Sequence, residues 1–256
     1  MDLNYVLERM NEMVNEVSKY QLDNYRSKNL KIDRKSTQTD LVTEVDKKSE
    51  KMIIDKIKEF FPLHNILTEE TGTIGTGSDY TWIVDPLDGT NNFACGIPIF
   101  GISIALEYKN DIIAGIVHMP YLKETYWATK NNGSYCNGNR ISCGAKKELI
   151  ECMAATGFPY DKHINDENNL NEINKMIPAV RGIRRLGSAA YDLCLVAHGI
   201  YDIYWEMGIK KWDVAAGQII IEEAGGKVQY IENKRDISLI VGNAQIVEIV
   251  RKKINW

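Results

Sequence analysis

Residues 81–127 read TWIVDPLDGTNNFACGIPIFGISIALEYKNDIIAGIVHMPYLKETYW, and the fold turns on this stretch. TWIV from Thr81, IFGISIALEY from Ile99, DIIAGIVHM from Asp111 and ETYWAT from Glu124 are rich in β-branched and aromatic residues. Turn formers such as Lys109-Asn110-Asp111 separate them, so they read as consecutive strands of an antiparallel meander. Asn131-Asn132-Gly133 and Asn137-Gly138 add further hairpin signals. The first run does more than start a sheet. Its apolar strand delivers Asp85 at the C-terminal end, Pro86 fixes the backbone, and Asp88-Gly89 makes a sharp turn that folds both carboxylates toward one point. Two such anions repel. A divalent, oxygen-preferring cation between them makes the arrangement tolerable, and carboxylates with a backbone carbonyl are a ligand set that Mg²⁺ selects.

On the N-terminal side, Val6, Met10, Met13, Val17 and Tyr20 recur at steps of three and four and predict a long opening helix. A second helix is predicted from about Lys47 to Phe61, with Ile53, Ile54, Ile57, Phe60 and Phe61 inward, Asp46 at its N-cap and Pro62 as its stop. Between them Lys31 to Asp40 is polar and aperiodic, a surface loop by this reading. After Cys152 the pattern alternates: helix Ile164–Met176, strand Val180–Arg185, helix Ala189–His198, strand Ile200–Trp205, helix Val214–Ala224 closed by Gly225-Gly226, a short strand, and a last helix Ala244–Lys253. No linker or repeat interrupts this. The expectation is two α/β halves, 1–150 and 151–256, forming one catalytic unit.

With 44% hydrophobic and 26% charged residues, the chain of 256 residues is a core-forming one, not a disordered one. Its net charge of −4 gives no electrostatic footprint for nucleic acid. The first twenty residues carry Asp2, Glu8, Glu12 and Glu16 and lack the apolar core of a signal peptide. Phe93 to Leu106, the least polar stretch, is broken by Gly96, Pro98 and Gly101 and falls short of the roughly 20 residues that span a bilayer. A cytoplasmic protein without membrane contact is expected. The five cysteines include no C-x-x-C pair, and His64, His118, His163 and His198 are scattered, which argues against disulfides, zinc hydrolysis and a Cys/His protease.

Four acidic segments place carboxylates at element ends: Asp40-Leu-Val-Thr-Glu-Val-Asp46, Glu69-Glu70-Thr-Gly72, Asp85-Pro-Leu-Asp88-Gly-Thr90, and Trp212-Asp213. Each taken singly has an ordinary structural use: an Asp-Gly turn, a solvated loop, or a helix N-cap for Asp46 or Asp213. The Gly72–Gly77 run precedes a strand, lacks GK[ST], and fits no phosphate-binding fingerprint. In this order, however, the four segments resemble the inositol monophosphatase family of Mg²⁺-dependent phosphatases. WIVDPLDGTNNF is similar to its first signature and WDVAAGQIIIEEAGG to its second, with DLVTEVD and LTEETG upstream. RGIRRLGSAAYDLCLVAHG and ATGFPYD look like its bacterial branch.

That resemblance implies a layered αβαβα sandwich of the inositol monophosphatase and fructose-1,6-bisphosphatase type. It assigns Glu69, Asp85 and the Leu87 carbonyl to a first Mg²⁺, and Asp85, Asp88 and Asp213 to a second. A weaker third ion belongs near Glu69. Thr90 paired with Asp46 would activate water, amides of Gly89 and Thr90 would hold phosphate oxygens, and Asp88, Ala189 and Glu206 would also border the substrate, the last two at its sugar-like alcohol. Lys35 matches a lysine on a mobile flap. The chemistry implied is two-metal hydrolysis of a phosphate ester, with Li⁺ competing for the second site. Thr68 stands where many relatives have Gly before the Glu pair, which alters only the turn. Pro159 to Asn174, where specificity varies among relatives, carries no decisive signal.

The DGTNNF ending favours inositol phosphates over nucleotide phosphates, while fructose 1,6-bisphosphate, histidinol phosphate, NADP⁺ and 3′-phosphoadenosine 5′-phosphate remain alternatives on the same metal core. The family is commonly dimeric, so a homodimer is expected. A rival of another class is a regulatory protein bound to the transcription antitermination machinery, with Arg181, Arg184, Arg185, Lys210 and Lys211 as a candidate basic patch.

Overall fold

The computed structural model describes residues 1–35, 37, 40–232 and 235–256. The opening stripe is buried as its spacing demands: Val6, Met10, Met13 and Val17 face inward from α1 (Leu3–Asn24). They pack against Ile53, Ile54 and Ile57 of α2 (Glu44–Phe60). This second helix starts earlier than expected, and Asp46 is not its N-cap. Thr43 holds that place, its hydroxyl accepting from the Val45 amide at 3.1 Å while Asp46 Oδ2 accepts from the Thr43 amide at 2.9 Å. Such a reciprocal capping box extends the helix back to Glu44.

The meander is present as β5 (Tyr80–Asp88), β6 (Gly101–Tyr108), β7 (Asp111–Met119), β8 (Glu124–Thr129), β9 (Ser134–Cys136) and β10 (Asn139–Ile141). On the other flank of β5 lie parallel β3 (Asn65–Thr68) and then β4 (Gly72–Ile74), completing an eight-stranded sheet in the order β10-β9-β8-β7-β6-β5-β3-β4. The β5–β6 register slips between Asp85 and Asp88. Pro86 lies within the slip and has no amide to offer the ladder, so the strand bulges where both aspartates emerge. The expected loop Lys31–Asp40 is partly strand: β1 (Ile32–Arg34) pairs antiparallel with β2 (Leu41–Thr43). Positions 36, 38 and 39 of that segment lie outside the described residues.

The second sheet comprises β11 (Met153–Thr156), β12 (Gly182–Arg184), β13 (Ile203–Ile209), β14 (Lys227–Tyr230) and β15 (Ile237–Gly242), ordered β12-β11-β13-β15-β14. Several expected boundaries shift. The helix expected from Ile164 begins at Leu170 as α4 (Leu170–Met176), because Ile164 is exposed and the segment before it forms turns. The strand expected at Ile200–Trp205 is displaced to β13, beyond the exposed Ile200, and two strands, not one, follow α6 (Lys211–Glu223).

Five layers result. Helices α1 and α2 cover one face of the large sheet; α5 (Ala189–Ala197) and α6 fill the space between the sheets; α4 and α7 (Ala244–Ile254) cover the outer face of the small one. Val214, Ala215, Ala216, Ile219, Ile220 and Ile221 are all buried, as a helix covered by sheets on two sides requires. No helix among the described residues is long and apolar enough to cross a membrane. All five cysteines are free thiols.

Candidate active site

The C-terminal end of β5, the N-terminal turns of α5 and α6, and the middle of β13 open onto one cavity of about 490 Å³. Glu69, Asp85, Asp88, Thr90, Glu206 and Asp213 all line it. Four acidic segments far apart in sequence thus share one pocket, while Asp46 stands behind it.

Asp85 is held by its own turn, its Oδ1 accepting from the Leu87 amide at 3.0 Å. From α1 the buried Gln21 donates to the Pro86 carbonyl at 2.7 Å and fixes the bulge. Asp88 sits at the start of α5, taking the Ala189 amide at 3.1 Å, the Ala190 amide at 3.2 Å and the Ser188 hydroxyl. These amides have no partner within the helix, so the carboxylate satisfies them and meets the positive end of the helix dipole. The Ala189 amide is therefore already engaged with Asp88. Gly89 follows at φ +87, a conformation open to glycine, and a Cβ there would lie 2.9 Å from the Ile99 carbonyl oxygen.

Glu69 lines the cavity, with Glu70 next to it in the chain. Lys35 Nζ meets Glu69 Oε1 at 2.7 Å and also pairs with Glu70, so this lysine reaches the acidic cluster. Burial would lower the Lys35 pKa, but the two glutamates raise it above its ordinary value. Glu50, buried on α2, accepts from the Glu70 amide at 2.8 Å and from the Thr71 hydroxyl, which sets the turn. Asp213 lies in the first turn of α6, accepting from the Lys210 amide at 2.7 Å. Behind them, Thr90 Oγ1 lies 2.7 Å from Asp46 Oδ1 and 3.0 Å from the Leu87 carbonyl.

Glu206 lies within β13 at its bulge, not at a strand end, and it is buried. Tyr204 donates its hydroxyl to Glu206 Oε2. A Cβ at Gly157 would lie 2.0 Å from Glu206 Oε1, so only glycine leaves the carboxylate this position.

Burial, followed by the charges of Glu69, Asp88 and Asp213, holds the Asp85 carboxyl well above the usual range. Asp213 is raised in the same way, by burial and then by Glu69. Burial pushes Glu69 up to about 7 against the pull of Lys35, and Asp88 up to about 6 against its hydrogen-bond donors. The pocket therefore lacks positive charge for the anions it holds, and its donors are hard oxygens. Among the described residues no group of three or more acidic, histidine or cysteine side chains is already drawn together to hold a metal ion. Mg²⁺ keeps several waters and binds substrate phosphate oxygens as well as carboxylates, so the carboxylates need not close on it by themselves.

Residues 2–254 match the inositol monophosphatase family. The chain belongs to that family. The inositol-1-monophosphatase of Mesorhizobium japonicum is 38% identical over 220 residues, 84% of this chain and 83% of that protein. The Nus factor SuhB of Pseudomonas aeruginosa is 42% identical over 194 residues, 74% and 72% of the two chains. The crystal structure of the extragenic suppressor protein suhB from Bartonella henselae, 35% identical, superimposes with a TM-score of 0.90 over 98% of each chain. As a member of the inositol monophosphatase family, the chain is a phosphatase with the layered fold anticipated from its signatures.

Sequence reasoning overlooked four supporting residues of this phosphatase pocket: Gln21, Glu50, Ser188 and Tyr204. Glu50 had a signal, standing four residues after Asp46 on one helix face. Gln21 also fell on the buried stripe of α1, one step beyond Val17. Ser188 and Tyr204 had none, because their partners lie in another segment or along an unremarkable strand.

Proposed function

We propose that this protein is a Mg²⁺-dependent phosphomonoesterase that releases myo-inositol and phosphate from inositol monophosphates. The observation that carries the reading is the convergence of Glu69, Asp85, Asp88 and Asp213 on one cavity that Glu206 also lines. Glu69, Asp85 and the Leu87 carbonyl would hold one ion, Asp85, Asp88 and Asp213 a second, and Glu69 a weaker third, with Glu70 nearby. When bound, Mg²⁺ supplies Lewis acidity that makes water more acidic and neutralises charge on the leaving ester oxygen.

The remaining work belongs to the chain. Thr90 has one hydroxyl proton, directed at Asp46, so Oγ1 can accept from an attacking water; as the water's proton passes to Oγ1, the hydroxyl proton passes to Asp46. Asp46, raised above the usual carboxylate range by burial despite its hydrogen bonds, is the more basic for it and receives the proton. Amides of Gly89 and Thr90, at the start of α3 (Thr90–Ala94), face the phosphate oxygens, and Ala189 and Glu206 border the alcohol. Lys35 on the flap balances Glu69 and Glu70. Inhibition by Li⁺ in competition with Mg²⁺, a cytoplasmic location and a homodimer belong to the same reading.

The test is phosphate release from inositol 1-phosphate, fructose 1,6-bisphosphate, histidinol phosphate, NADP⁺ and 3′-phosphoadenosine 5′-phosphate, with and without Mg²⁺. Inositol 1-phosphate should lead, and only with Mg²⁺. Preference for another ester would move the substrate assignment to that compound; turnover without metal would overturn the mechanism.

A second reading, a regulatory protein, rests on similarity to a protein named Nus factor. Lys210 and Lys211 are tied to Asp236 and Glu107, whereas Arg181, Arg184 and Arg185 are exposed. Capture of RNA polymerase components by the wild type but not by an Arg181/Arg184 double alanine variant would support it.

A further inference from the structure

Asp192 stands on the first turn of α5, only 2% exposed, with its side chain in the wall of the active-site cavity. Its Oδ1 has no hydrogen-bond partner among the described residues. Buried polar atoms are nearly always satisfied, so an orphaned carboxyl oxygen in a pocket wall needs an explanation. The surroundings supply none for the free protein. Glu206 and Asp88 repel the charge of Asp192, and the attracting group, Arg185, is exposed and joined to it by no salt bridge among the described residues. A group left in this condition weakens the fold. It persists where a ligand completes it, a common pattern at sites that trade stability for function.

Glu206 borders the same cavity from β13, so two carboxyl groups from separate elements face one space. That pairing matches an alcohol with neighbouring hydroxyls, each donating one hydrogen bond. We infer that Asp192 is a substrate-recognition residue that, beside Glu206, accepts a second hydroxyl of a polyhydroxylated phosphate ester. The inference rests on the phosphatase reading above and deepens it: the site reads a pair of hydroxyls, so esters of simple alcohols are poor substrates.

The experiment measures kcat/KM of wild type, Asp192→Asn and Asp192→Ser on two esters. One is whichever polyol phosphate the wild type turns over best, inositol 1-phosphate being expected; the other is p-nitrophenyl phosphate, whose alcohol has no further hydroxyl. Loss of this hydrogen bond, which leaves a substrate hydroxyl unpaired in the pocket, should lower the ratio between the two by roughly tenfold to a hundredfold, mainly through KM. Thermal melting of the metal-free variants should be no lower than wild type, since an unsatisfied buried carboxyl has been removed. A ratio unchanged within about twofold overturns the inference, as does failure of both variants to fold, which would make the carboxyl structural. Wild type that prefers a polyol other than inositol refutes the substrate named above but not the role of Asp192, because the ratio is read on the preferred polyol.

Discussion

Thr90 donates its hydroxyl to Asp46 at 2.7 Å, joining the first residue of α3 to the capping turn of α2 across 44 positions of sequence. Asp46 also receives the Thr43 amide, so one buried carboxylate both starts a helix and takes the hydrogen of the candidate catalytic threonine. The capping geometry fixes where Asp46 points, and Asp46 in turn fixes the hydroxyl.

Thr90→Ala should therefore lower kcat by about 10²–10⁴, the usual range for a positioned proton acceptor. Stability should fall by no more than about 1–2 kcal/mol, since one hydrogen bond is lost. Thr90→Ser should retain most of the rate. Steady-state kinetics and denaturant melts on both variants check this, and an alanine variant keeping a tenth of the wild-type rate would remove Thr90 from the relay.

Asp88→Asn leaves an acceptor for the α5 amides but takes one negative charge from the cluster. Turnover and calorimetric Mg²⁺ affinity should both collapse while the melting temperature stays near wild type. Asp213 is the third residue of α6 and not its N-cap, and Asp213→Asn keeps an oxygen that can accept from the Lys210 amide, so a near-normal rate for that variant would end its assignment as a ligand.

For Glu206→Gln, shape is kept and charge removed. The expected loss in kcat/KM is roughly tenfold to a hundredfold on inositol 1-phosphate and far smaller on p-nitrophenyl phosphate, whose alcohol has no further hydroxyl. Equal losses would mean that Glu206 acts on the metals instead.

Glu206 also predicts a pH dependence. Burial pushes its carboxyl up to about 7 from an ordinary 4.5, against the Tyr204 hydrogen bond and Arg185. The unfolded chain releases the proton near 4.5 and the folded chain only near 7, so the folded state holds more protons in that window. Its stability consequently falls as pH rises from about 4.5 to about 7. Relative to Glu206→Gln, metal-free wild type should lose on the order of 3 kcal/mol across that window. Urea melts of both proteins at about pH 5 and pH 8 measure it; a difference that does not change with pH would show that Glu206 ionises normally.

Gly157→Ala offers the same site a steric test. Its Cβ would lie 2.0 Å from Glu206 Oε1, so the carboxylate must move. The variant should reproduce the substrate-selective loss of Glu206→Gln while its Mg²⁺ affinity stays close to wild type. Activity on inositol 1-phosphate equal to wild type would show that Glu206 tolerates displacement.

Much of this site was legible before the chain was folded. Asp85-Pro86-Leu87-Asp88-Gly89 is a local device in which proline, turn and strand end act within five residues, so its shape follows from its own chemistry. The meander was readable for a similar reason, because alternating β-branched runs and short turns pair with their neighbours. Boundaries failed where local signals conflicted with distant ones. Lys31–Asp40 looks like a loop because its pairing energy comes from Leu41–Thr43. Ile164 looks helical by spacing, yet nothing covers it.

The sequence by itself determined the inventory: the acidic segments, their order, the family they mark, and a sheet that presents two aspartates at one strand end. Each depends on residues that are near one another along the chain. Only the tertiary structure decided that Ser188 and the Ala189 and Ala190 amides would hold Asp88 from about 100 residues away. It alone set Lys35 against Glu69 and Glu70, seated Glu206 on Gly157, and left Asp192 Oδ1 without a hydrogen-bond partner among the described residues. These relationships depend on burial and on which helix end meets which strand end. Both are settled by how the layers pack around one another, since the hydrophobic energy of that packing outweighs the preference of any single polar contact.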